Sequence, residues 1–146
     1  MYKITREQAR KYAFDWRDEP LVRVKAGESV EIETYDASTG FFKSTDDKAI
    51  PGKRAGFDRT PPHANPIGGP VYVEGAQRGD VLVVSIEDIV VDSYSWIAIG
   101  PKRGPLGEST RWPELSSDYT TKIFKHTPGP SGTTRDGTLH FNDKLS

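Results

Sequence analysis

Short stretches in which apolar and polar residues alternate, separated by turns rich in Gly and Pro, run through most of this chain. Alternation with period two is typical of β-strands, whose side chains point in turn to the two faces. Many short strands joined by such turns predict an all-β fold, and we expect a jelly-roll-like β-sandwich with long loops. The 146 residues suit one domain, so we predict a single β-sandwich domain over residues 1–146.

The alternation also locates the individual elements. Strands are predicted at residues 21–24, 30–34, 69–74, 80–91, 95–99, 120–125 and 138–142. Residues 80–91 are nearly all β-branched or apolar, which predicts a central strand covered on both faces. Residues 5–12 are predicted as either a strand or a helix, because Thr5 with Gln8 three residues later forms a helix-capping pattern. Long loops are expected at residues 37–66 and 100–117, and loops of this length are usually functional or flexible.

Composition narrows the possible functions. The formal net charge is −1, whereas nucleic-acid-binding proteins normally carry a basic patch. The chain has no cysteine, so any metal would be held by His, carboxylates or water. No apolar run reaches the ~18 residues of a membrane span, and the N-terminus lacks the apolar core of a signal peptide. We therefore expect a cytoplasmic protein with neither a nucleic-acid nor a membrane partner.

His63 lies in a loop that prolines make stiff. It follows Pro61-Pro62 and precedes Asn65-Pro66, and proline restricts both its own φ and the residue before it. A stiff loop suits a side chain that must be held in place for a metal or a substrate. The alternative is an ordinary loop histidine that is hydrogen-bonded to the backbone.

Two carboxylates lie where predicted strands pass into loops. Asp36 begins the first long loop and is either a metal ligand or a turn cap that bonds nearby N–H groups. Glu74 ends the predicted strand 69–74, where partial burial would raise its pKa towards that of a useful general acid or base; the alternative is a surface residue beside a turn. Asp80 is predicted to cap the turn that precedes residues 81–91.

The chain resembles the acetamidase/formamidase family. The resemblance extends over residues 20–36 and 96–106, and the most specific motifs are His63-Ala-Asn-Pro, Gly69-Pro-Val-Tyr-Val-Glu-Gly-Ala and Gly79-Asp-Val-Leu. The resemblance implies hydrolysis of short linear amides, similar to formamide or acetamide, to a carboxylate and ammonia by a metal-bound water. It also implies Asp36 and His63 as ligands of a divalent metal, expected to be zinc, and Glu74 and His63 as catalytic residues.

One departure from the family pattern bears on the partners. Family members are longer, and their second half supplies an Asp-x-His and a Gly-Asp-Gly-Glu region that this chain lacks. We expect the chain to require that C-terminal half, either as a second subunit or as the remainder of a cleaved enzyme, or to form a homo-oligomer. The alternatives are a non-catalytic β-sandwich binding or assembly module that keeps the amidase fold, and a carbohydrate-binding module that uses Trp16, Trp96 and Trp112.

Overall fold

A computed structural model describes residues 1–102, 108 and 111–146, without the side chains of residues 115 and 116. Its elements in chain order are β1 (Tyr2–Ile4), α1 (Arg6–Ala9), β2 (Val22–Val24), β3 (Val30–Ile32), β4 (Val71–Val73), β5 (Tyr94–Ile99), a 3-10 helix (Pro113–Ser116), β6 (Thr120–Thr127), a second 3-10 helix (Thr134–Asp136) and β7 (Thr138–Leu139). Strands supply most of this regular structure, which confirms the all-β class. The jelly-roll arrangement stays a prediction.

The chain divides into two compact units. The first unit contains residues 1–41 and 54–83, and it holds two parallel strand pairs, β1 with β3 and β2 with β4. The second unit contains residues 42–53 and 84–146, and it holds an antiparallel sheet in the order β5-β6-β7. The prediction of one β-sandwich domain over residues 1–146 stays a prediction.

The N-terminal segment forms a helix, but only for one turn. Thr5 caps α1 through a reciprocal pair of hydrogen bonds: its N–H donates to the Gln8 side chain at 3.0 Å, and its hydroxyl accepts from the Gln8 N–H at 3.4 Å. The helix ends after Ala9 because Lys11 returns to an extended bridge with Ile67, with N–H···O=C distances of 3.2 and 2.9 Å. The capping pattern therefore favoured the correct alternative, although the helix is shorter than residues 5–12.

Few apolar side chains are fully buried. Among the described residues these are Ile4, Ala9 and Val24 in the first unit and Phe42 in the second. The Phe42 ring lies 4.2 Å from that of Trp96 between centroids, so Trp96 packs inside the second unit, as expected for a structural tryptophan. Trp16, in contrast, is 92% exposed. The first unit thus has a small core beneath α1 and its two strand pairs.

Six of the predicted strands are confirmed with altered bounds, and β1 is an additional strand. Within β3, Ile32 is 41% exposed although it is apolar. The predicted central strand at residues 80–91 is wrong: these residues form no helix or strand, and Val81 is 87% exposed. A strand needs a neighbour for its main-chain hydrogen bonds, and no strand of the described chain pairs with these residues.

The first of the two long loops is found where it was expected. Residues 37–66 contain neither helix nor strand. In the second loop, residues 103–106 of the family-like motif at 96–106 lie outside the described residues, whereas residues 113–116 form the first 3-10 helix. Within the described ranges, no helix is long and apolar enough to cross a membrane.

Candidate functional site

The Asp36 side chain organises the turn that follows β3. One carboxylate oxygen accepts the Ser38 N–H at 2.6 Å and the other accepts the Gly40 N–H at 3.0 Å. Ser38 is buried, and its hydroxyl accepts a hydrogen bond from the Arg54 guanidinium at 2.5 Å. Asp36 therefore caps a turn, as the structural alternative predicted. Because each carboxylate oxygen has two lone-pair positions, both oxygens keep one for a ligand.

The residue before Asp36 is tied to the N-terminal helix. The Tyr35 hydroxyl donates a hydrogen bond to the Glu7 carboxylate, and this bond is the main reason why the pKa of Tyr35 is raised. The guanidinium groups of Arg6 and Arg10 lie 5.6 and 5.8 Å from the centre of the Tyr35 ring. These contacts fix the direction in which the chain leaves β3 towards Asp36.

His63 is half-buried, and it is held by one backbone hydrogen bond and by stacking of its ring. Its N–H donates to the Gly56 carbonyl at 2.9 Å. Its ring stacks on Tyr12 with centroids 4.2 Å apart and planes inclined by 6°. Neither ring nitrogen is hydrogen-bonded to any described residue. The imidazole is thus positioned by stacking and keeps its nitrogen lone pair for a ligand.

The structure brings the Asp36 and His63 loops together. The Asn65 N–H, two residues after His63, donates to the Ala37 carbonyl at 2.9 Å. Tyr12 stacks on the His63 ring. The Tyr12 hydroxyl is also hydrogen-bonded to the Thr39 hydroxyl at 3.2 Å. We call Tyr12, residues 36–40, Gly56 and residues 63–65 the loop cluster. All of its members belong to the first unit.

Two residues of the loop cluster other than glycine have left-handed backbones. Thr39 has φ of 55° and Asn65 has φ of 51°. For Thr39 this conformation is unfavourable, since its β-branched side chain crowds the backbone. Such strained positions persist only where surrounding contacts enforce them, and they concentrate at functional sites. Here the Asp36 turn and the bond from Asn65 to Ala37 supply those contacts.

Glu74 lies outside the loop cluster. Its N–H donates to the Val24 carbonyl at 2.7 Å, which extends the pairing of β2 and β4 by one residue. Its side chain is exposed, so the partial burial expected of a general acid is not found. No hydrogen bond or ion pair joins the three candidates Asp36, His63 and Glu74 to one another. The Asp80 carboxylate accepts the Gln77 N–H at 2.8 Å, which confirms its predicted role as a turn cap.

The loop cluster offers the types of donor atom that a divalent metal binds, but it offers fewer of them than a catalytic zinc site uses. Zinc binds imidazole nitrogen and carboxylate oxygen, and catalytic zinc sites normally use three protein ligands. Asp36 and His63 offer one donor of each type. Within the part of the chain that the structure describes, no three metal-binding side chains come together.

Sequence reasoning missed Tyr12 and Gly56. Tyr12 lies at the end of residues 5–12, which are predicted as either a strand or a helix, and stacking on a residue 51 positions away leaves no local signal. Gly56 has φ of +76°, and a Cβ added there would lie 2.6 Å from His63 Nδ1. A glycine in the middle of a long loop gives a weak signal, because most loop glycines only serve turns.

We expect Gly56→Ala to displace the His63 ring and to lower the free energy of unfolding by more than about 1 kcal/mol, since both the left-handed φ and the clash oppose the new side chain. Gly27→Ala is the matched control, because Gly27 has φ of +86° and open space around its added Cβ. NMR resonances of the His63 ring should shift in Gly56→Ala and not in Gly27→Ala. Unchanged His63 resonances in Gly56→Ala would contradict the close approach.

Comparison with known proteins finds one family whose model matches this chain. The acetamidase/formamidase family model matches residues 3–138. An acetamidase from Bacillus halodurans is 26% identical with a TM-score of 0.74, and the match covers 98% of this chain and 41% of that one. A predicted acetamidase/formamidase from Thermoanaerobacter tengcongensis is 30% identical with a TM-score of 0.73, with 99% and 40% covered.

The chain spans about two fifths of the length of these two solved structures. No curated protein matches it. The family match nevertheless extends from β1 to the start of β7 and includes the whole loop cluster. This chain therefore belongs to the acetamidase/formamidase family.

Proposed function

We propose that this chain forms part of an enzyme that hydrolyses short linear amides, of formamide or acetamide size, to a carboxylate and ammonia. Family membership supports this reaction class. The observation that carries the proposal is the 2.9 Å bond from Asn65 to Ala37, which holds the Asp36 and His63 loops side by side. Two side chains with metal-binding donors thus come from one strained loop cluster.

In this proposal Asp36 and His63 hold a divalent metal, proposed to be zinc. When bound, such an ion polarises the amide carbonyl and lowers the pKa of a water ligand. The residues around the two ligands orient them, as outer contacts of metal ligands commonly do. The Ser38 and Gly40 N–H groups fix the Asp36 carboxylate, and Tyr12 fixes the plane of the His63 ring.

Glu74 is the proposed proton donor to the leaving nitrogen. Ammonia leaves an amide readily only when its nitrogen is protonated, and a positioned carboxylic acid supplies that proton. The exposed Glu74 side chain follows β4 directly and is free of hydrogen bonds to the described residues. It is therefore able to face a substrate or a partner beside the first unit.

The proposed site is completed by the part of the family fold that this chain does not span. A catalytic zinc normally takes three protein ligands, and the loop cluster offers Asp36 and His63. We propose that the further ligand comes from that remaining part of the fold, and that the assembly is cytoplasmic. A homo-oligomer is the alternative source of a third ligand.

The second candidate function is a non-catalytic binding or assembly module that keeps the amidase fold. It is favoured by the Asp36 carboxylate, both oxygens of which already serve the turn. The exposed position of Glu74 also favours this second function. In this case the loop cluster is a structural feature only, and neither metal nor amide turnover depends on it.

The first test is the mass, metal content and amidase activity of protein purified under native conditions. We expect a second co-purifying polypeptide, near-stoichiometric zinc, and turnover of formamide or acetamide that a chelator abolishes and added zinc restores. Loss of turnover follows from the role of the metal as the electrophile that activates the amide. A metal-free homo-oligomer of this chain, inactive with added zinc, would overturn the enzyme proposal in favour of the module.

A further inference from the structure

Tyr12 contacts both of the loops that carry the proposed metal ligands. Its ring stacks on His63 with centroids 4.2 Å apart and planes inclined by 6°. Its hydroxyl is hydrogen-bonded to the Thr39 hydroxyl at 3.2 Å, and the Thr39 N–H donates to the Asp36 carbonyl at 3.0 Å. One half-buried side chain thus joins the His63 ring to the turn of Asp36.

The main chain beside Tyr12 is anchored to the segment that carries His63. The preceding residue, Lys11, exchanges two hydrogen bonds with Ile67, at N–H···O=C distances of 3.2 and 2.9 Å. The Lys11 ammonium also forms an ion pair with Asp18 at 2.7 Å. The Tyr12 side chain therefore projects from a backbone that is fixed close to the loop that it contacts.

The His63 ring has little room to leave its place against Tyr12. A Cβ added at Gly56 would lie 2.6 Å from His63 Nδ1, so the Gly56 main chain approaches the ring closely. Stacked aromatic rings are also more stable than the burial of their area alone predicts. The stacking on Tyr12 and the approach of Gly56 together determine where the imidazole lies.

The hydroxyl bond from Tyr12 acts on a strained residue. Thr39 has φ of 55°, which is unfavourable for a β-branched side chain and persists only where contacts enforce it. The bond from Thr39 to the Asp36 carbonyl holds the main chain of Thr39, whereas the bond to Tyr12 holds its side chain. Tyr12 therefore contributes to the shape of the turn that the Asp36 carboxylate caps.

We infer that Tyr12 is a positioning residue that arranges the two proposed ligands relative to each other. Its ring holds the His63 imidazole, and its hydroxyl holds the Asp36 turn through Thr39. The inference rests on the proposed function, in which Asp36 and His63 bind a divalent metal. Ligands that come from separate loops bind more tightly when they are arranged beforehand, because binding then orders less of the chain.

Tyrosine suits this role because it combines an apolar ring with a polar tip. Tyr12→Phe keeps the ring and removes the hydroxyl, whereas Tyr12→Leu removes both. Thr39→Val removes the other partner of the hydroxyl bond and keeps a β-branched shape. These three substitutions separate the contact with His63 from the contact with the Asp36 turn.

The first test uses NMR on the full metal-free chain. Tyr12→Leu should shift the His63 ring protons downfield, because the shielding face of the tyrosine is lost, and Tyr12→Phe should leave them close to their original positions. Tyr12→Phe should instead shift the amide resonances of Ser38 and Gly40, whose N–H groups bond the Asp36 carboxylate. Tyr2→Leu, in β1 and outside the loop cluster, is the matched control and should change none of these resonances.

The second test is the zinc affinity of the native assembly, measured by competition with a chelator. Tyr12→Leu should weaken zinc binding by about 10- to 100-fold, the usual effect of losing an outer contact of a metal ligand. Tyr12→Phe and Thr39→Val should each weaken it by about three- to tenfold. The double variant should lose no more than either single variant, since both remove the same bond, and Tyr2→Leu should bind zinc within about twofold of the wild type.

Three outcomes would overturn the inference. The first is a Tyr12→Leu chain with unchanged His63 resonances, the second is a Tyr12→Leu assembly with the zinc affinity of the wild type, and the third is additive losses in the double variant. Should Tyr12→Leu not fold, the comparison of Tyr12→Phe, Thr39→Val and their double variant decides the matter. A native assembly that binds no zinc would overturn the proposed function, whereas the NMR comparison would still show whether Tyr12 links the two loops.

Discussion

Replacing His63 by Ala is expected to lower kcat/KM for acetamide by roughly 10³-fold in the zinc-loaded assembly, within the range of a lost acid–base or ligand group. The His63 ring stacks on Tyr12, and its two ring nitrogens form no hydrogen bond to the described residues. The variant therefore loses a proposed ligand and leaves the backbone bonds of the loop intact. Zinc content should fall together with turnover.

His140→Ala is the matched control for His63→Ala. The His140 ring bonds the hydroxyls of Thr127 and Ser146 at 2.9 and 3.1 Å, and it belongs to the second unit. We expect zinc content and kcat/KM to change by less than about twofold, since surface substitutions have small effects. Full activity and full zinc in His63→Ala would remove His63 from the proposed site.

Phe42→Ala is expected to lower the free energy of unfolding by about 3–5 kcal/mol, the usual cost of truncating a buried aromatic residue. Phe42 is 1% exposed and is the only fully buried hydrophobic residue of the second unit within the described ranges. Because total stabilities are about 5–15 kcal/mol, this loss should unfold much of the unit. Urea unfolding followed by tryptophan fluorescence would report it, since Trp96 lies against Phe42.

Phe14→Ala serves as the control for Phe42→Ala, because Phe14 is 91% exposed. Its truncation should change the free energy of unfolding by less than about 0.5 kcal/mol. A Phe42→Ala variant as stable as Phe14→Ala would mean that the second unit does not depend on this packing.

The elements that the sequence predicted well are those defined by neighbours within a few residues. The Thr5–Gln8 capping pattern appears in the structure as two hydrogen bonds, and β2 and β4 fall inside their predicted ranges. Residues 80–91 were predicted as a central strand from the same kind of signal, and that prediction is wrong. Alternation and β-propensity report what a segment prefers when paired, and they carry no information on whether a pairing strand is present.

The candidate site was predictable in its residues but not in its arrangement. Prolines around His63 indicated a stiff loop, and the end of a strand indicated Asp36. Their association depends on the bond from Asn65 to Ala37 and on Tyr12, and both link positions far apart in sequence. Contacts of this kind arise from tertiary structure, for which one sequence offers no period or spacing.

The eight apolar side chains of residues 81–91, which are between 47% and 87% exposed, have a consequence for how the chain behaves in concentrated solution. An exposed apolar run of high β-propensity without proline is an aggregation hazard, and charges that border such a run slow the assembly of identical copies. Asp80 and Asp92 border these residues. Because added salt screens the repulsion between copies, we expect the chain to stay in solution for a shorter time as ionic strength and protein concentration rise.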